Sequence, residues 1–131
     1  MADVCRRFGV LLVADEVMTG FGRTGRWFAM DRYGVRPDIV VAAKGVTGGY
    51  WPFGFVAASE AVHATVTGSG SFVHGFTYSH SAVGAAVASE VLRILEDEDL
   101  VEASATKGAR LLDGLQEAFG GHPNVGDIRG H

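Results

Sequence analysis

Apolar residues in this chain fall into short unbroken runs and longer stripes. The run Gly9-Val10-Leu11-Leu12-Val13-Ala14 is rich in branched residues and stops at Asp15-Glu16, a pattern that predicts a buried strand. Asp38-Ile39-Val40-Val41-Ala42-Ala43 repeats the design after Pro37 and stops at Lys44-Gly45, predicting a second. Strands apolar on both faces belong to parallel sheets covered by helices, and residues 18–37 are long enough for a helical crossover between these two. The expected fold is therefore α/β with a mostly parallel sheet. Ligands of such sheets bind outside the carboxyl ends of the strands, where Asp15 and Lys44 both fall, so an acid and an amine are expected to face one crevice.

The remaining elements follow from the same patterns. Ala2 to Phe8 reads as the last turns of a helix, and Gly20-Phe21-Gly22-Arg23-Thr24-Gly25 as a glycine-rich loop. Arg26 to Tyr33 reads as a short helical segment closed by Gly34 and Pro37. Phe53 to Ala58 predicts a third strand, with Ser59 capping the helix that carries Glu60, Ala61 and Val62. Gly68 to Gly70 predicts a turn, and the aromatic and β-branched segment Ser71 to Tyr78 has strand character. Ser79 or Ser81 is placed to cap a helix running to about Leu95, whose Gly84, Ala85 and Ala88 leave a smooth face for close packing. Asp99 and Glu102 have capping-box spacing ahead of a last helix, which Gly120-Gly121-His122-Pro123 stops. Asn124 to His131 reads as a turn entering a strand. With a helix end at one terminus and a strand entry at the other, the chain is expected to be part of a longer protein.

Composition narrows the functional classes. A net charge of −4 with scattered Lys and Arg argues against a nucleic-acid surface, which needs clustered cations. Residues 61–89 contain no Asp, Glu, Lys or Arg, yet hold too much Ser, Thr, Gly and His to span a bilayer; the stretch reads as buried or interfacial. No export signal precedes Asp15, and the single Cys5 cannot form an internal disulfide, so a cytoplasmic protein is expected.

Several motifs offer chemistry. Gly20, Gly22 and Gly25 satisfy G-x-G-x-x-G, with Asp38 near the distance at which a dinucleotide site keeps its ribose acid; but Asp15 to Thr19 separate the glycines from their strand, and Asp38 begins a strand instead of ending one. Leu11 to Glu16 is similar to the Mg²⁺-holding strand of a P-loop NTPase, but the chain has no G-x-x-x-x-G-K-[ST]. The histidines lack metal-ligand spacing and read as satisfied or solvated, and Cys5 reads as a packing residue. Lys44, between Ala43 and Gly45 at the end of an apolar strand, is expected to be poorly solvated and so a nucleophile for carbonyl carbon. A structural ion pair with Asp15 or Glu16 accounts for it equally well.

Taken together, Asp15-Glu16-Val17-Met18-Thr19-Gly20-Phe21-Gly22-Arg23-Thr24-Gly25, Pro37-Asp38-Ile39, Ala43-Lys44-Gly45, Gly49-Tyr50-Trp51-Pro52 and His74-Gly75-Phe76-Thr77-Tyr78-Ser79 resemble the class III pyridoxal-phosphate aminotransferases, in order and in spacing, over essentially the whole chain. The resemblance implies that residues 1–131 are part of the large, cofactor-binding domain of a fold type I transferase, without its glycine-rich phosphate loop, ring-stacking aromatic and C-terminal small domain. It implies that Lys44 is the Schiff-base lysine and proton carrier, that Asp15 partners the pyridine nitrogen of pyridoxal 5′-phosphate, that Val17 packs on the ring face, and that Thr77 binds the cofactor phosphate across a homodimer interface. It implies transfer of an amino group, from an amino acid or ω-amine, to an oxo acid. Met18 departs from the pattern, standing where some members carry Gln to hydrogen-bond the ring oxygen. Residues 15–21 also resemble the related aminomutases, although Gly22 to Ala29 and Ala43-Lys44-Gly45 favour the aminotransferases. The second alternative is a non-catalytic α/β nucleotide-binding piece. By themselves the 131 residues are expected to transaminate poorly or not at all.

Overall fold

Helix α1 (Ala2–Phe8) ends where Gly9 turns left-handed, φ 63°, its N–H bonding back to Arg6 O. In the computed structural model, which describes residues 1–68, 70 and 72–130, the chain then runs extended into β1, Val13–Asp15. This strand is shorter than the apolar run predicts because its partner arrives late. Leu12 is where the two segments meet, donating its N–H to the Asp38 carboxylate at 2.7 Å and accepting from Asp38 N at 2.9 Å. Strand β2 (Ile39–Ala43) lies parallel to β1, with Asp15 opposite Val41, and β3 (Gly54–Ala58) pairs antiparallel on the other side of β2. The α/β expectation holds, in a three-stranded mixed sheet ordered β1-β2-β3.

The crossover between β1 and β2 is mostly loop instead of helix. Three glycines at 20, 22 and 25 supply too little helix propensity, and Gly22 and Gly25 have positive φ. Its only helical element among the described residues is a 3-10 helix, Ala29–Tyr33, ended by a left-handed Gly34.

The sheet has one covered and one open face. Phe21, Ala42, Val46 and Ala88 form the core on the side of Ala14 and Ala42, with Phe28, Val40, Phe53, Leu92 and Leu95 packed around them. Phe21 meets Phe28 and Phe55 edge-on, with ring centroids at 5.4 and 6.3 Å. The opposite side, where Val13 and Val56 lie, is open to solvent, contrary to the expectation that the strands are apolar because both faces are buried.

After β3 come α2 (Glu60–Gly68), α3 (Ala82–Asp97) and α4 (Leu100–Phe119). Ser81 caps α3 by accepting from Gly84 N at 3.1 Å. The smooth face of α3 is used within the chain: Gly84 sits against Phe53 and Trp51, where a Cβ would come within 2.6 Å of the Phe53 ring. Two other expected caps do not form. The Ser59 hydroxyl is buried without a hydrogen-bond partner, and Asp99, at φ 49°, makes no side-chain cap to α4.

The strand expected over 71–78 is absent from its described residues, 72–78. Phe72, Val73, Phe76 and Tyr78 have strand propensity but no neighbouring strand among the described residues, and all four are exposed. The turn expected over 68–70 and that strand include Ser69 and Ser71, which lie outside the described residues, as does His131. Residues 123–124 turn as expected, and 125–130 form no strand.

Candidate active site

Strand alternation decides what each acid at the end of β1 can do. Successive side chains point to opposite faces, so the buried Ala14 and Glu16 project into the covered side while Asp15 projects to the open one. Asp15 Oδ1 accepts from Val17 N at 3.0 Å, which fixes the carboxylate against its own turn. Val17 itself lies beyond the strand and is half-buried.

Glu16 is 2% exposed and structural. Its carboxylate accepts from Ala29 N at 3.0 Å, from Met30 N at 2.9 Å and from the Thr19 hydroxyl in a short bond. It thus satisfies the first donors of the 3-10 helix, which would otherwise be orphaned. Asp31 completes that helix start, accepting from Phe28 N at 2.9 Å.

Lys44 follows the last residue of β2 and adopts a left-handed backbone, φ 47°, at a cost of about 1–2 kcal/mol for a residue with a Cβ. The bend opens a second 3-10 helix, Lys44–Thr47, whose buried Thr47 hydroxyl donates to Trp51 O at 2.7 Å and so braces the loop behind the lysine. Two expectations about Lys44 are corrected. The side chain is exposed, not poorly solvated, because the open face of the sheet leaves it uncovered. It forms no ion pair among the described residues: Glu16 is on the other face, and the contact of Nζ is Met18 Sδ at 2.7 Å. Asp15, Val17, Met18 and Lys44 are therefore gathered at the carboxyl ends of two adjacent parallel strands.

Thr77 lies elsewhere, in the turn 77–80, lining an open cleft of about 530 Å³ with Trp51, Pro52, Tyr78, Ser79 and Ser81. No hydrogen bond or ion pair among the described residues links it to Asp15 or Lys44.

The glycine loop does not form a phosphate cradle. A Cβ on Gly22 would come within 3.3 Å of Val101, and one on Gly25 within 2.7 Å of Ala105, so these glycines let the loop lie directly on α4. Asp38 stands just ahead of β2, one oxygen accepting from Leu12 N at 2.7 Å, whereas the ribose acid of a dinucleotide site ends its strand. His122 accepts from Asn124 N at 3.2 Å, and His74 sits between the rings of Phe72 and Phe76, in line with satisfied histidines.

Sequence reasoning missed Glu16 as a buried acceptor, Thr47 as a brace, and Met18 as the neighbour of the amine. Strict alternation past Asp15 was the one available signal for Glu16; nothing local announces the other two.

The family model "Aminotransferase class-III" matches residues 1–131. The putrescine–pyruvate aminotransferase of Pseudomonas aeruginosa is 41% identical over 128 residues, covering 98% of this chain and 28% of that protein. Gamma aminobutyrate transaminase 2 of Solanum lycopersicum is 40% identical over 97% of this chain and 28% of its own length. Among solved structures, an (S)-enantioselective omega-transaminase from Thermomicrobium roseum is 49% identical and superposes with a TM-score of 0.94, over 98% of this chain and 29% of that one. The omega transaminase of Pseudomonas jessenii in complex with PMP gives 42% identity and a TM-score of 0.88, over 98% and 29%. The chain thus spans under a third of the length of these relatives. No helix among the described residues is long and apolar enough to cross a membrane.

Proposed function

The chain belongs to the class III aminotransferases, and on that premise we propose that residues 1–131 are part of the large domain of a pyridoxal-phosphate enzyme that moves an amino group from an amino acid or a terminal amine to an oxo acid. The observation that carries the reading is that Asp15 and Lys44 both stand exposed at the carboxyl ends of the adjacent parallel strands β1 and β2. Relatives named for putrescine and for gamma-aminobutyrate favour a donor with a terminal primary amine.

The residues present suit the cofactor. One Asp15 oxygen is held by Val17 N and leaves the other free to accept from a protonated pyridine nitrogen. Lys44 presents an exposed primary amine next to a thioether instead of a carboxylate, so it is not locked into an ion pair. Thr77, exposed in a turn beside Trp51, offers a hydroxyl to a phosphate. When bound, pyridoxal 5′-phosphate supplies an aldehyde carbon for the amino group and a cationic ring that accepts the electrons left as a carbon acid loses its proton.

The chain's own residues supply the rest. Lys44 Nζ would hold the cofactor and, as a free amine, would take the donor's proton as a general base and return it as an acid. Asp15 keeps the ring nitrogen protonated, because a carboxylate hydrogen-bonded to it favours the charged form. Val17 offers an aliphatic surface to the ring. Thr77 serves the site of a second subunit, making the enzyme a homodimer; the exposed Phe72, Val73, Phe76 and Tyr78 suit such an interface. With its lone Cys5 the protein is assigned to the cytoplasm.

The full-length protein should be yellow, and borohydride should bleach it and leave a phosphopyridoxyl group on Lys44 by peptide mass analysis. A colourless protein that takes up no cofactor, or an adduct on Lys107 instead, would reject the assignment.

A further inference from the structure

The side chains of Asp15 and Glu16 leave β1 on opposite faces, and everything distinctive about the site lies in the turn that follows. Glu16 is fixed through its main chain, its N–H donating to Val41 O at 2.8 Å and its carbonyl accepting from Gly20 N at 3.0 Å. Its buried carboxylate grips Ala29 N, Met30 N and the Thr19 hydroxyl. The turn 16–20 is therefore clamped from the covered side; Asp15 precedes it on the open side, and its Met18 is exposed and in contact with Lys44 Nζ at 2.7 Å. Thr19 is the one side chain of the turn that Glu16 holds, and hydrogen bonds to a carboxylate are about twice as strong as neutral ones. We propose that Glu16 is a positioning residue: through Thr19 it sets the turn so that Asp15 presents its free oxygen at the cofactor's ring nitrogen. The inference rests on the cofactor reading above and goes beyond it in giving the buried acid a duty toward the reaction. If its role is structural only, Glu16 merely anchors the start of the 3-10 helix Ala29–Tyr33.

Thr19→Val separates the two, since it deletes the hydroxyl at nearly constant volume and leaves the bonds from Ala29 and Met30 in place. In the full-length enzyme it should leave the borohydride adduct on Lys44 intact and KM unchanged, and lower kcat about 10-fold, less than the roughly 100-fold that a 1 Å misplacement can cost. The pH at which the cofactor's absorption bands interconvert should move in the same direction as in Asp15→Asn, and cofactor should be lost faster on dialysis. Thr19→Ser should restore all of these. If Thr19 acts through Asp15, adding Thr19→Val to Asp15→Asn should cost less than about 2-fold more, because the group being positioned is already gone. Losses that multiply in the double variant, or a Thr19→Val enzyme with parental kcat and spectrum, would overturn the inference while the adduct on Lys44 stands. No adduct in the parent sinks the cofactor reading and this inference with it. Thr19→Ala, which removes the same hydroxyl, is scored identically if Thr19→Val does not fold.

Discussion

Residues 13–48 and residues 72–81 each contribute to the proposed site, and they are held by opposite means. In the first segment nearly every polar group with a fixed position is bonded within the chain: Asp15 to Val17, Glu16 to Thr19, Ala29 and Met30, Thr47 to Trp51. Gly22 and Gly25 are pressed against α4. In the second, Phe76 and Ser79 bond to each other and Ser81 caps α3, but Thr77 makes no hydrogen bond among the described residues and the aromatic side chains around it face solvent. A segment that fixes its own geometry can position an acid and an amine to a fraction of an ångström. A side chain left unheld, as Thr77 is, can take its place from something packed onto it, which is why we propose an interface role for Thr77.

The contrast is broken most severely at Lys44. Lys44→Ala in the full-length enzyme should abolish the adduct and lower turnover of an amine donor about 10⁴-fold; retention of more than a tenth of the rate would mean that the amine is not the reacting group. Next, Asp15→Asn should keep the adduct and lower kcat about 100-fold, since Asn can touch the ring nitrogen but cannot hold its proton. Parental turnover there would make Asp15 a turn residue and no more.

Gly25→Ala probes the rigidity of the first segment. The position combines φ 72° with Ala105 at 2.7 Å from the new Cβ, so the loop must lift off α4 at about 2 kcal/mol, read as a lower urea midpoint. An unchanged midpoint would show that the loop–helix contact is slack. The smallest expected effect is that of Thr77→Ala. Because Ser81, not Thr77, caps α3, the melting temperature should hold while cofactor affinity falls about 10-fold, or ~1.4 kcal/mol. Mixing Thr77→Ala with Lys44→Ala subunits should then restore up to half the activity per dimer, each mixed dimer having one intact site. No recovery under proven exchange would return Thr77 to its own subunit's site.

These outcomes also measure what was readable in the sequence. The strand ends at Asp15 and Lys44 were legible because an apolar run that stops at a charge has one physical reading, and Ser81 because a hydroxyl three residues ahead of a free N–H is a local event. Glu16 was not, since its donors lie at Ala29 and Met30 and only the folded crossover brings them near. Residues 71–78 misled for the converse reason: β-branched and aromatic side chains favour a strand, but a strand also needs a neighbour, and propensity cannot supply one. The small residues of α3 were correctly read as a close-packing face, whose occupants at Gly84 are Phe53 and Trp51 of the same chain.

The left-handed backbone at Lys44 has an evolutionary corollary. Glycine would sit there without strain, so, on the role proposed for Lys44, a population selected for thermal endurance alone would drift toward Lys44→Gly, gaining about 1 kcal/mol as it lost the amine. A lineage that keeps a lysine at this bend is one in which selection for turnover outweighs selection for stability at a single codon. Paralogues that have lost the lysine should then be found more heat-resistant than their active kin.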